Sequence, residues 1–276
     1  MICDFWKYIF HIYSKQVRTL FAGDGTGLGV SYMAEQLNET NAEIVYLDFS
    51  SSSMKIAKTR VEARRSYKVI WITGWIETMP KFGLGKFEMT MCSGVLHHLK
   101  NPASGLKTLK TVLLPGGGGH FMVYGKYGRL TIYQIQKLVA LLHKNSASPV
   151  RELANVRHVI TVAPTSNWFE KMDENFKIVN LRTDSDIYDM FLHKRDISYA
   201  VSDLYNWVQK SGLQIKYFCN EDWRLTYYDN YNYITKNFNP SIKKILKPDP
   251  INTRMIREHI QGQLVIKQSM YLNKEK

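Results

Sequence analysis

At 276 residues, with 45% hydrophobic and 13% aromatic content, the chain can form one large domain or an ordinary domain with an insertion, and it can bury a sizeable core. That composition excludes a disordered, collagen-like or disulfide-stapled protein. The formal net charge of +13 admits an RNA or membrane-surface partner, yet the densest basic groupings (Arg60, Arg64, Arg65 and Lys68; Lys243, Lys244 and Lys247) are short, and charge spread over solvated faces is the simpler reading.

Residues 1–16 are aromatic, but Asp4, Lys7, His11 and Lys15 interrupt the apolar positions. The stretch is too polar for a signal peptide or a membrane span, so a packed helix is expected, with the cytoplasm as the default location. Residues 17–22 form a short apolar run ended by glycines, which suits a buried parallel strand. Residues 28–37 have helical spacing. Residues 44–47 are a second apolar run closed by Asp48, and residues 50–53 offer serine N-caps to a helix carrying Met54, Ile56, Ala57 and Val61.

Residues 68–73 and 87–92 read as the third and fourth strands. Pro102 opens a helix through Leu106, Leu109, Val112 and Leu113, which is expected to stop at Pro115 and four glycines before a fifth strand at 120–124. Beyond a helix at 131–143, residues 144–199 show no clean repeat. A helix at 202–210 and strands at 213–218 and 263–272 complete the pattern. Strands alternating with helices predict an α/β, doubly wound, mostly parallel seven-stranded sheet with helices on both faces. The irregular stretch, 126–200, is expected to be an insertion within a single domain, 1–276, and to act as a substrate lid above the strands' carboxyl ends.

Three scattered cysteines, Cys3, Cys92 and Cys219, argue for free thiols in a reducing compartment, and their spacing suggests no metal site. The chemistry concentrates in Thr19-Leu20-Phe21-Ala22-Gly23-Asp24-Gly25-Thr26-Gly27, a strand entering a glycine-rich turn before a helix. Glycines allow the sharp turn and a close approach of ligand to backbone, and the helix N-terminus offers free N–H groups to an anion. Asp48 ends the next strand about twenty residues on, where a carboxylate can accept both hydroxyls of a ribose. These features fit a nicotinamide enzyme and a methyltransferase equally.

Five segments in order separate the two. Phe21–Gly27 resembles the first motif of class I S-adenosylmethionine-dependent methyltransferases, and Tyr46-Leu47-Asp48-Phe49-Ser50 resembles the second. Gly74-Trp75-Ile76-Glu77-Thr78-Met79-Pro80 is similar to their adenine-holding segment. Ser93-Gly94-Val95-Leu96-His97-His98-Leu99 is similar to the segment after the fourth strand, and Leu113-Leu114-Pro115-Gly116-Gly117 to the turn before the fifth. A fainter similarity reaches a little-described methyltransferase subgroup through Tyr124-Gly125-Lys126-Tyr127-Gly128-Arg129 and Asp189-Met190-Phe191-Leu192-His193.

The resemblance implies a Rossmann-like fold and S-adenosylmethionine as cofactor. It implies that Ala22, Gly23, Gly25, Gly27 and Ser93 border the cofactor, with Asp48 on the ribose and Phe49, Trp75 and Ile76 around the adenine. Two positions depart from the family pattern. Ala22 stands where many relatives have an acidic residue, and Trp75 where an Asp often binds the adenine amino group.

An activated methyl group needs an acceptor held in line and water excluded, and a base only if the acceptor must lose a proton. His97 and His98 are the candidates, against the plain alternative of a packed or capping pair. Tyr124, Tyr127 and Arg129 leave the fifth strand as candidate substrate contacts, Arg129 as an anion clamp or a structural pair. His193, Asp196 and Tyr199 are further possibilities; Trp168, Phe169 and Trp207 read as packing residues. A small molecule, a protein side chain and RNA remain open as acceptors. The competing functions are a non-catalytic module that binds the cofactor and a nicotinamide oxidoreductase.

Overall fold

The computed structural model describes residues 17–65, 68–142, 148–162, 183–219, 255 and 267–275. The expected N-terminal helix, Cys3, Trp168, Phe169 and the group Lys243, Lys244 and Lys247 lie outside them. In chain order the elements are β1 (Arg18–Ala22), α1 (Leu28–Gln36), β2 (Glu43–Asp48), α2 (Ser51–Ala63) and β3 (Val69–Thr73). A short 3-10 turn (Ile76–Phe82) leads to β4 (Phe87–Ser93), a second such turn (Leu96–His98), α3 (Pro102–Val112) and β5 (Leu113–Gly125). Then come α4 (Leu130–Leu142), α5 (Pro149–Val162), α6 (Asp184–Ile187) running into a π-turn (Tyr188–Leu192), β6 (Ser198–Tyr199), α7 (Val201–Lys210), β7 (Gln214–Cys219) and β8 (Lys267–Asn273).

The strands form one sheet in the order β3-β2-β1-β4-β5-β8-β7, with β6 paired to β5. Pairs β1–β2, β1–β4, β2–β3 and β4–β5 are parallel, and β7–β8 is antiparallel. The doubly wound, mostly parallel sheet is therefore as expected, with the two-residue β6 as an eighth strand. The order reverses at β1, which has β2 on one side and β4 on the other. Ligands bind at such a point, beyond the strands' carboxyl ends, in open α/β sheets.

Local chemistry explains the elements. Ser50 caps α2 by accepting from the Ser53 N–H at 3.2 Å, and Asn101 caps α3 by accepting from the Ser104 N–H at 3.0 Å. One core packs Phe21, Val30, Met33, Ile44, Tyr46, Met54, Ala57 and Met89 between the sheet and helices α1 and α2. Burying each large side chain contributes about 1.5–3 kcal/mol.

The four glycines after Pro115 are not a break but part of β5. Gly118 and Gly119 pair with Met89 and Thr90 of β4, and a Cβ on Gly119 would lie 2.1 Å from the Thr90 carbonyl oxygen. Glycine is required there by close strand approach. On the other side, the Gly116 N–H donates to the Lys274 carbonyl and the Lys274 N–H to that of Gly117.

The chain divides into two compact units: Met1–Val123, Asp203–Tyr233 and Gln268–Lys276, and Tyr124–Ser202 with Ile234–Lys267. The second unit has its own apolar core, including Ile132, Ile135, Val139, Val156, Ile160, Ile187 and Phe191. Helix α5 falls in the stretch the sequence left irregular. Its residues Leu153, Val156, Val159 and Ile160 pack on this core.

In β5, His120 is wholly buried, its ring 5.1 Å from that of Tyr271. Burial pushes its imidazole down to about 4 from 6.5. The unfolded chain therefore binds a proton that the folded chain refuses, and this residue subtracts stability as pH falls from about 6.5 toward 4. Thermal unfolding of a His120→Leu variant should lose less stability over that window than the parent does. Identical pH slopes would contradict the assignment.

Candidate active site

The first unit gathers four strand ends. β1 ends in Ala22, which is wholly buried, and passes into Gly23–Gly27. Gly23, Gly25 and Gly27 have φ values of 80°, 54° and 80°, the left-handed region that favours glycine. Their surroundings differ. A Cβ on Gly23 would sit 2.5 Å from a Val95 methyl, and one on Gly27 2.3 Å from the Ala57 Cβ. A Cβ on Gly25 would meet nothing within 4 Å, so this part of the loop faces open space.

Asp48 ties the loop to β2. One carboxylate oxygen accepts from the Gly25 N–H and the other from the Ser50 N–H, each at 2.9 Å. The Gly74 N–H donates to the Asp48 carbonyl at 2.9 Å, joining the tips of β2 and β3. The buried Tyr46 hydroxyl donates to the Gly25 carbonyl, so the turn is held at both of its polar groups. A carboxylate has about four lone-pair sites. Asp48 therefore keeps acceptor capacity for two hydroxyls after its two backbone bonds.

Asp24 was not singled out by sequence, although it stands between two of the loop glycines. Its carboxylate accepts from the Val30 N–H at 2.7 Å and so satisfies one of the orphan donors in the first turn of α1. Burial, reinforced by the nearby Asp48 charge and opposed by the Val30 N–H, pushes its carboxyl up to about 6.

The Phe49 and Trp75 rings stack at 4.6 Å, 8° from parallel, both largely exposed, while Ile76 is buried. Ser93, at the end of β4, is exposed. His97 is fully buried and His98 half-buried, their rings edge to face at 4.1 Å. The glycine loop, Asp48 and the exposed aromatic rings are groups of the kinds that fit the amino-acid end, the ribose and the base of S-adenosylmethionine.

In the second unit Arg129 is 2% exposed and forms an ion pair with the equally buried Asp196. Its guanidinium lies 3.6 Å from the Tyr124 ring centre. Asp196 also accepts from the Tyr133 hydroxyl at 2.9 Å and from Gln136 at 3.1 Å. The Tyr124 hydroxyl donates to Asp189 at 2.9 Å, and burial with the adjacent carboxylate pushes that phenol well above its ordinary range. The two sequence segments of the faint subgroup similarity thus meet: Gly125–Arg129 follows Tyr124, and Asp189 and Met190 receive bonds from Tyr124 and Gln136. Tyr127 is half-buried in the turn before α4. His193 accepts from the Arg195 N–H at 3.2 Å, and the Tyr199 carbonyl accepts from the Lys126 N–H. Among the described residues, no group of three or more His, Cys, Asp or Glu is placed to hold a metal ion.

Residues 20–118 match the family described as methyltransferase domain. An uncharacterized protein of Synechococcus is 32% identical over 211 residues, covering 74% of this chain and 49% of that protein. A ubiquinone biosynthesis O-methyltransferase of Acinetobacter baylyi is 20% identical over 109 residues, 40% of this chain and 46% of the relative. The fold is similar to that of PKMT2 from Rickettsia typhi in complex with AdoHcy, with TM-score 0.72 and 15% identity over 95% of this chain and 51% of that one. The chain spans about half the length of the curated relatives it matches.

The two glycine environments give a test. Gly27→Ala combines a left-handed backbone with a clash against α2, and should cost about 2 kcal/mol or more in urea unfolding. Gly25→Ala has the strained backbone without the clash, and should cost about 1–2 kcal/mol. Equal losses would contradict the packing described.

Proposed function

We propose that the chain transfers a methyl group from S-adenosylmethionine to a nucleophilic acceptor and releases S-adenosylhomocysteine. The observation that carries this reading is the pairing of Asp48 with Gly25 beside an open glycine turn, at the point where the strand order reverses. The cofactor, when bound, supplies a methyl group already activated on a sulfonium. Everything else falls to the protein.

Gly23, Gly25 and Gly27 receive the amino-acid end, beside the Asp24 carboxylate that already takes the Val30 N–H of α1. Asp48 accepts the ribose hydroxyls, while Phe49, Trp75 and the backbone of Ile76 hold the base, and Ser93 borders the site from β4. His98 is the half-buried ring able to orient an acceptor or take its proton, and His97 packs behind it as a positioning residue. Within the second unit, Tyr124 with Asp189, and Tyr127, are the residues assigned to acceptor contact. Arg129 holds Tyr124 rather than an anionic substrate, because its charge is already spent on Asp196.

A small molecule, a protein side chain and RNA are all chemically admissible acceptors. The charge of +13 favours an anionic one, and an RNA acceptor would show affinity falling steeply with salt. No described helix is long and apolar enough to cross a membrane. The scattered cysteines favour action in the cytoplasm.

The test is release of S-adenosylhomocysteine on incubation with panels of small nucleophiles, peptides and RNA. Transfer should occur with one class, and His98→Gln should lower kcat by about a hundredfold while leaving S-adenosylhomocysteine affinity unchanged. Cofactor binding without transfer to any acceptor would contradict the enzyme reading and favour a regulatory module.

A further inference from the structure

Two carboxylates hold the same short turn. Asp48 accepts from the Gly25 N–H at 2.9 Å, while Asp24, one residue earlier in the turn, accepts from the Val30 N–H at 2.7 Å. Three elements surround Asp24. α1 presents backbone N–H groups and no charged side chain in its first turn. β2 presents Asp48 and the Tyr46 phenol, which burial and both carboxylates push well above its ordinary range. α2 presents Arg60, whose guanidinium donates to the Thr26 hydroxyl at 3.1 Å in an exposed bond. Two anions at the turn thus face one cation, and that cation is screened by solvent.

Asp24 exchanges its charge close to neutrality. Burial, opposed by the Val30 N–H and reinforced by the Asp48 charge, holds its carboxyl up at about 6. A cation bound beside such a group favours the ionised form and expels the proton, so affinity for the cation falls as pH falls through that value. The methyl donor and its product differ in this respect alone. Transfer turns a sulfonium cation into a neutral thioether, and the two compounds share amino, carboxyl, ribose and base groups. The shared amino and carboxyl groups titrate at about 8 and about 3.5, on either side of Asp24. A preference that tracks Asp24 is therefore a preference between sulfonium and thioether.

We propose that Asp24, together with Asp48, gives the glycine turn the negative charge by which it favours the cationic methyl donor over the neutral product, and that protonation of Asp24 removes this preference. This deepens the adenosylmethionine reading and rests on it. Asp24 then does two things with one carboxylate, capping α1 through a bond and selecting the donor through its charge. Product competes with donor most strongly in acid.

The experiment is calorimetric titration of the full chain with S-adenosylmethionine and S-adenosylhomocysteine between pH about 7.5 and about 5. The ratio of donor to product affinity should fall by about fivefold toward the acid end. Asp24→Asn, which keeps an acceptor for the Val30 N–H, should show a flat ratio. A second measurement needs only the parent: near pH 6, titrations in buffers of different ionisation enthalpy should show the donor releasing more protons than the product. A flat ratio in the parent, equal proton release by the two ligands, or a fall in Asp24→Asn as steep as the parent's would overturn the proposal and leave the adenosylmethionine reading intact. Failure of both ligands to bind the folded parent would overturn the two together.

Discussion

The Asp48 carboxylate is the interaction on which the site depends. It takes one backbone N–H from the β1 turn and one from the first residue after its own strand, Ser50. Without it the Gly25 N–H, on a loop that faces open space, would have lost its partner, while Tyr46, the Gly23 N–H bond to Leu47 and the Gly27 N–H bond to Asp24 would still hold the rest of the turn. The same carboxyl group keeps lone pairs for further donors. In the function proposed above, structure and recognition share this one side chain, and a substitution there disturbs both.

The glycines divide their labour around that anchor. Gly23 and Gly27 are required by what lies behind them, a Val95 methyl and α2, whereas Gly25 is required by its backbone angle and by what lies in front. Asp24 adds a cost of its own: a half-buried carboxyl beside another carboxylate, raised to about 6 and retained because it caps α1. Buried polar groups of this kind are held where the surrounding bonds over-determine them. The second unit uses the same device in Arg129 and Asp196, an ion pair shielded from solvent and fastened by Tyr133 and Gln136. Breaking one partner of such a pair costs more than the pair contributes, because the other charge is left buried.

Much of this was legible in the sequence because periodicity and glycine spacing are local signals. Strands β1 to β4, the capping role of Ser50 and the strand-end position of Asp48 followed from them directly. The run Pro115–Gly119 did not, because glycines that end an element and glycines that admit a neighbouring strand look alike until Thr90 is seen against Gly119. Helix α5 also carries helical spacing, at Leu153, Val156 and Ile160, but lies in a polar, aromatic stretch without a strand–helix repeat to frame it. The Tyr46 hydroxyl bond, the Asp24 cap and the pairing of Arg129 with Asp196 are long-range or geometric facts; Arg129 and Asp196 are 67 residues apart, and no local pattern couples them. The sequence put His97 slightly ahead of His98, and burial separates them the other way, with His97 fully buried and His98 half-buried.

The most direct measurement is calorimetric titration of the parent and an Asp48→Ala variant with S-adenosylmethionine, S-adenosylhomocysteine and NAD. The account predicts saturable binding of the first two to the parent, none of NAD, and loss of binding in a variant that circular dichroism shows to be folded. A folded parent that binds neither S-adenosyl compound, or a variant that binds both as well as the parent, would contradict it.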